Sequence, residues 1–322
     1  MTSVNDVTII YDPCYLDHDT GGDDHPEQGA RLETILAYLS SCEDLAFCYK
    51  PPRPALREEI LAAHDESWLN RFEEAVLSGR TFIDHSDNQI GYESYQVAQV
   101  AAGAGLVGVD CLESGEETTV FCMGRPPGHH AERNMPFGFC FFNNCVIAAR
   151  YWATRYGRKR VAIFDFDAHH GNGIQSAFEE EPDTIYISIH EHPSFSYPGT
   201  GYHDEVGLGS GRGTILNLTL PPGGGDREME ALLTEQAEPF LVKHQADALV
   251  ISAGFDGHVN DDMSGLHYTT DLYRTIGSTV RRWGHDYCDG RLLSILEGGY
   301  ELSVLGESVA AYLIGLSGRS RP

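Results

Sequence analysis

The sequence predicts an α/β fold built on a single open, mostly parallel sheet flanked by helices on both faces. Two observations carry this. Apolar runs of strand length recur near 7–11, 118–123, 160–166, 184–189, 247–252 and 292–297, with a weaker one at 214–220, and runs apolar on both faces suit buried parallel strands. Between most of them lie helix-length segments such as 94–110, 143–156, 226–245 and 269–284, the alternation that builds crossover units. The Gly/Pro-rich pieces at 51–54, 199–213 and 221–225 are loop-sized, and no repeat interrupts the chain. One domain over 1–322 is therefore expected.

Composition narrows the class. Of 322 residues, 41% are hydrophobic and 22% charged, which is ordinary for a domain with a sizeable core. The opening MTSVNDVTIIYDP has neither a basic nor an apolar leader region, and no apolar run approaches the roughly 20 residues of a membrane span. A soluble, cytoplasmic protein with no membrane partner is expected. Eight scattered cysteines without a C-x-x-C pair read as reduced core thiols, neither a disulfide framework nor a zinc ribbon. The formal charge of −26, with three lysines in all, excludes nucleic acid as a natural partner. Such a field attracts cationic substrates; it reads equally as a solubility or salt adaptation. Oligomeric state stays open, a homo-oligomer included.

Taken in chain order, four strand ends carry polar chemistry. After 118–123 comes RPPGHH, with His129 and His130; after 160–166, DFDAHHGNG, with Asp165, Asp167, His169 and Asn172; after 247–252, AGFDGH, with Asp256; after 292–297, EGGY, with Gly298, Gly299 and Tyr300. Ligands of open parallel sheets bind outside the carboxyl ends of the strands, so these groups should meet in one crevice. Asp167 and His169, two apart, point the same way in an extended segment. With Asp256 they make three ligands and leave a position open, the pattern of a catalytic zinc and not of a closed structural site. The His pair suits general base and acid work, with Asp165 and Asn172 as orienting partners. Tyr300 suits an oxyanion donor, with Gly298 and Gly299 giving close backbone approach. Each piece alone has a blander reading: a solvated strand-end cluster, a packing His pair, a core tyrosine.

Together these motifs resemble the histone deacetylase superfamily, which includes acetylpolyamine amidohydrolases and acetoin-utilisation proteins and shares the arginase–deacetylase fold. The matching pieces run in order from HPEQGARL (25–32) through RPPGHHAERNMPFGFCFFNN (125–144), DFDAHHGNG, YPGTG (197–201) and ISAGFDG (251–257) to LEGGY. The resemblance implies one zinc per chain on Asp167, His169 and Asp256, Tyr300 as electrophilic hydroxyl, and His130 as general base and acid beside His129. It also implies a potassium ion against Asp165, Asp167, His169 and Ser188, and an acyl-lysine tunnel lined by Gly138, Phe139 and Tyr197, with Asp87 holding the substrate backbone.

Departures from the family pattern bear on substrate. Asn172 stands where class I members carry an aspartate, so the chain looks closer to the class II and bacterial branch, and His130 is expected to lack an anionic partner. Tyr197 replaces a common phenylalanine. Met263 stands where one acetylpolyamine branch carries a glutamate, and no long insertion separates Gly79 from Ser94. The expected activity is hydrolysis of acetyl or other short acyl groups from acylated lysines or related amines, in preference to acetylspermidine, with Asp23, Asp24, Asp261 and Asp262 on the rim. The rivals are an acetylpolyamine amidohydrolase, an arginase-like ureohydrolase on two manganese ions, and a non-catalytic acyl-lysine binder.

Overall fold

The computed structural model describes residues 6–22, 24–115 and 117–319. Its strands are Val7–Ile10 (β1), Phe47–Lys50 (β2), Phe82–Ile83 (β3), His85–Gln89 (β4), Val120–Cys122 (β5), Val161–Asp165 (β6), Thr184–Glu191 (β7), Ile215–Leu220 (β8), Ala248–Ala253 (β9) and Leu292–Leu296 (β10). The α-helices are Ala30–Ser40 (α1), Arg57–Leu61 (α2), Glu66–Leu77 (α3), Ser94–Ser114 (α4), Asn144–Tyr156 (α5), Asn172–Phe178 (α6), Asp226–Leu232 (α7), Glu238–His244 (α8), Thr270–Cys288 (α9) and Leu302–Ser317 (α10).

Side chains alternate across a strand, and here that alternation feeds two cores. Ala162 and Phe164 of β6 and Leu249 and Ile251 of β9 join one cluster, packed mainly against α1, α9 and α10. Val161 and Ile163, with Ala248 and Val250, join the other, packed mainly against α3, α4, α5 and α6. Both faces are thus covered, as the continuous apolar runs require. The eight-stranded sheet is parallel throughout, in the order β2-β1-β5-β10-β9-β6-β7-β8. β2 escaped the sequence reading because it is a short, half-buried edge strand, and β3 and β4 form a separate two-stranded hairpin.

Among the described residues α4 is the one helix long and apolar enough to cross a membrane, and 67% of its apolar window is buried inside the fold. At Gly103 of α4 a Cβ would meet the Arg53 carbonyl oxygen at 1.7 Å, so the helix lies against the chain more closely than any side chain permits. From β6 the chain runs outward to β7 and β8, whereas β9 lies on the other side of β6 and leads inward to β10. That reversal opens a crevice at the carboxyl ends of β6 and β9. β5 and β10 complete a set of four adjacent central strands, the four whose ends carry the motifs.

Candidate active site

The loops after these strands hold each other's carboxylates by backbone donors. The N–H of Ala168 donates to Oδ1 of Asp256 (2.9 Å) and the N–H of Gly298 to Oδ2 of Asp167 (2.9 Å). Oδ1 of Asp167 and Oδ2 of Asp256 face Nδ1 of His169, each at 3.1 Å. The three ligating atoms lie within 4.8 Å of one another and all three residues are buried. Nε2 of His169 faces the Met263 carbonyl at 3.0 Å; a carbonyl only accepts, so the ring proton sits on Nε2 and Nδ1 is aimed between two carboxylates. Burial opposes a charged imidazole, yet Asp256 and Asp167 push His169 well above its ordinary value. The pocket demands positive charge, and two carboxylates with one imidazole fit a divalent cation with coordination positions left open.

Beside this set the two imidazoles of His129 and His130 lie 3.9 Å apart between centroids. Nδ1 of His129 faces Oδ2 of Asp165 at 3.1 Å, and Nδ1 of His130 faces Oδ1 of Asn172 at 2.8 Å. Their environments push them apart. Burial lowers His129, but Asp167 and Asp165 outweigh it and raise the group to about 10. His130 goes well below its usual value through burial and the neighbouring His129 and His169. Paired titratable groups driven in opposite directions are a mark of acid–base sites. Behind them Oε2 of Glu297 accepts the N–H groups of Gly128 (2.6 Å) and His129 (3.1 Å), and burial raises that carboxyl to about 7.

A cavity of about 210 Å³ descends to these groups, lined by Asp87, His130, Gly138, Phe139, His169, Tyr197, Met263 and Tyr300. Gly138 (φ 50°) and Phe139 (φ 69°) take left-handed backbone, and a Cβ on Gly138 would meet His130 at 2.4 Å. Phe139 packs edge-on to Tyr300 and Tyr197 edge-on to His130. Tyr300 lies beneath the guanidinium of Arg31, 4.9 Å from its ring centroid.

Several expectations are corrected. Gly298 and Gly299 do not line the cavity: a Cβ on Gly298 would strike the Asp256 carboxylate at 2.2 Å, so that glycine makes room for the carboxylates, and a Cβ on Gly299 would meet Leu305 and Phe255 at 2.7 and 2.9 Å. Asp261 is not on the rim; it is 4% exposed, and its carboxylate accepts the N–H groups of Met263, Tyr300 and Glu301. Asp24 and Asp262 are exposed, and Asp23 lies outside the described residues. Asp87 sits in β4 and supplies the cavity with a carboxylate where Met263 supplies none. Ser188 pairs in register with Asp165, and its Oγ meets Nδ1 of His190 at 2.7 Å.

Glu132, Glu297, Asp261 and Glu27 were missed as supporting residues. All four lie inside or beside quoted motifs, but a carboxylate's partner across 39 or more residues has no local signature.

A buried carboxylate–imidazole set that could hold a metal ion, a His pair and a phenol lining one cavity, on a parallel sheet, define a hydrolase of the deacetylase kind. Residues 25–316 match the histone deacetylase domain, and the chain belongs to that family. It is 38% identical to histone deacetylase 14, chloroplastic, of Arabidopsis thaliana over 89% of this chain and 71% of that protein. It is 35% identical to a probable deacetylase of Archaeoglobus fulgidus over 91% and 81% respectively. The crystal structure of the HDA15 HD domain superposes with a TM-score of 0.90 at 31% identity, covering 97% of this chain and 91% of that one.

Proposed function

We propose that this chain is a zinc-dependent amidohydrolase that removes acetyl or other short acyl groups from acylated lysine side chains or related small amines. The observation that carries the reading is the convergence of Asp167, His169 and Asp256 beneath a cavity walled by His130, Tyr300 and aromatic rings. The ion, when bound, supplies positive charge at the scissile carbonyl and lowers the pKa of the attacking water. His130 is neutral, with its Nδ1 proton directed to Asn172, and receives the proton of the water on Nε2. The Tyr300 hydroxyl is pushed well above its usual pKa, chiefly by burial; it stays protonated and donates to the developing oxyanion. His130 then passes its proton to the departing amine, beside a His129 whose positive charge Asp165 anchors. Phe139 and Tyr197 pack on an aliphatic stem.

A potassium ion at Asp165 and Ser188 belongs to the same reading. Nε2 of His190 faces the Gly201 carbonyl at 2.9 Å, so Ser188 donates its hydroxyl proton to Nδ1 and keeps oxygen lone pairs for a cation.

The acetylpolyamine reading is favoured by one observation, the Asp87 carboxylate at the cavity, which could meet an internal ammonium. Met263, a thioether, favours an aliphatic lysine stem. Steady-state kcat/KM for an acetyl-lysine peptide and for acetylspermidine, with the parent and with Asp87→Asn, decides between them. The lysine reading expects the peptide to be preferred; a ten-fold preference for acetylspermidine that Asp87→Asn removes would overturn it, and absence of hydrolysis of either would sink the enzyme class.

A further inference from the structure

The expectation that His130 has no anionic partner holds only for direct contact. Nδ2 of Asn172 donates to Oε1 of Glu132 at 2.9 Å and to the carbonyl of His130 at 3.3 Å, while Oδ1 of the same amide faces Nδ1 of His130 at 2.8 Å. We infer that Glu132 is a positioning residue for His130: its carboxylate decides which way the Asn172 amide faces, and the amide decides which ring nitrogen of His130 carries the proton. The inference rests on His130 being the base of the proposed hydrolysis.

The argument is one of donors and acceptors. An amide could be turned over without changing its shape. Turned over, Oδ1 of Asn172 would lie 2.9 Å from Oε1 of Glu132 and 3.3 Å from a carbonyl oxygen. Three acceptors would then face one another with no proton between them, in a site where Asn172 and His130 are buried. Unmade hydrogen bonds of this kind cost about 1–3 kcal/mol each. With the amide so fixed, Oδ1 can only accept, so His130 carries its proton on Nδ1 and presents the lone pair on Nε2. The reverse amide would put the proton on Nε2 and remove the base.

Glu132 is itself held at both ends of its backbone. Its N–H donates to the Met135 carbonyl at 2.9 Å, and its own carbonyl meets Nδ1 of His64 at 3.0 Å. The neighbouring imidazole shows the contrast. His129 meets a carboxylate directly, at Asp165, whereas between His130 and Glu132 a neutral amide carries orientation without placing the full charge on the ring. The pairing also explains Asn172. An aspartate there would turn a second carboxylate oxygen toward Glu132 at the 2.9 Å contact, so asparagine and glutamate form a matched pair.

The test is a cycle of Glu132→Ala, Glu132→Gln, Asn172→Asp and the double variant Glu132→Gln/Asn172→Asp. Each is assayed for kcat and KM on an acetyl-lysine peptide with bound zinc quantified. Metal-free protein is examined in parallel by 15N NMR of the histidine rings. Loss of a partner that orients a site histidine typically costs about 10- to 100-fold, so Glu132→Ala should lower kcat by that factor with KM and zinc content little changed. Its His130 should show a mixed tautomer where the parent shows Nδ1–H. Glu132→Gln, whose amide oxygen still accepts, should lose less. Asn172→Asp should be harmful alone and be rescued at least about five-fold in the Glu132→Gln background, because contacting residues are non-additive. Unchanged kcat and tautomer in Glu132→Ala, or strictly additive effects in the cycle, would overturn the inference. A parent that hydrolyses no acyl amide would overturn the proposed function, and the NMR arm would still judge Glu132.

Discussion

Replacing Glu27 by glutamine should destabilise the fold by several kcal/mol at neutral pH and by much less in acid. Glu27, Arg31 and Arg125 have side chains with 0% exposure. Oε1 of Glu27 accepts Nε of Arg125 at 2.6 Å and Nη1 of Arg31 at 3.0 Å, and Oε2 accepts Nη2 of Arg125 at 2.9 Å. One carboxylate thus compensates two buried guanidiniums. Glutamine keeps one acceptor, turns an NH2 toward a cation and removes the charge; breaking a buried pair in this way costs about 3–5 kcal/mol.

The electrostatic surroundings of Glu27 give an independent figure. Burial raises Glu27, but Arg125 and Arg31 outweigh it and lower the carboxyl to about 2 from 4.5, a difference worth about 3 kcal/mol. Because the folded value is depressed, this stability is fully present above pH 4.5 and is lost as pH falls toward 2. At pH 3 roughly 2 kcal/mol of it should be gone. Urea midpoints of parent and Glu27→Gln at pH 7 and pH 3 measure the gap at each. Equal midpoints at pH 7, or a gap that does not narrow at pH 3, would refute the reasoning. Arg31 also donates to the carbonyls of Gly299 (2.6 Å) and Glu297 (2.5 Å) behind Tyr300, so kcat should fall with stability.

Tyr300→Phe should lower kcat by about 10² to 10³ with KM nearly unchanged, as loss of one oxyanion donor does; steady-state kinetics at fixed zinc checks it, and near-parental kcat would refute the role. His169→Ala and Asp256→Ala should each lose the bound metal and the activity together, since two remaining ligands make a weak site; elemental analysis of purified protein reads this, and full activity without metal refutes it. Asp261→Asn keeps at most part of the three backbone hydrogen bonds to Met263, Tyr300 and Glu301 and sets a donor against a donor. It should cost about 1.5–3 kcal/mol and reduce kcat with zinc retained, by thermal melts and kinetics; a parental melt and rate would remove Asp261 from the support of Tyr300.

What the sequence determined by itself was whatever short-range pattern encodes. Seven of the eight sheet strands, β8 from its weaker run at 214–220 included, and the four polar strand ends were legible because buried parallel strands need continuous apolar runs and because ligands gather past their carboxyl ends. Asp167, His169 and Asp256 were legible as a set because metal chemistry admits few residue types and because Asp167 and His169 lie two apart. β2 was not legible, since a half-buried edge strand carries no such run, nor was the β3–β4 hairpin that brings Asp87 to the cavity.

Only the tertiary structure decided which carboxylates serve the surface and which the site. Asp261 and Asp262 are adjacent and chemically alike, yet one is buried under three backbone N–H groups and the other is exposed. Glu132 meets Asn172 across 40 residues and Glu27 meets Arg125 across 98. A hydrogen bond depends on where two loops come together in space, and that is set by the order β5-β10-β9-β6 across the sheet, which no single stretch of the chain contains.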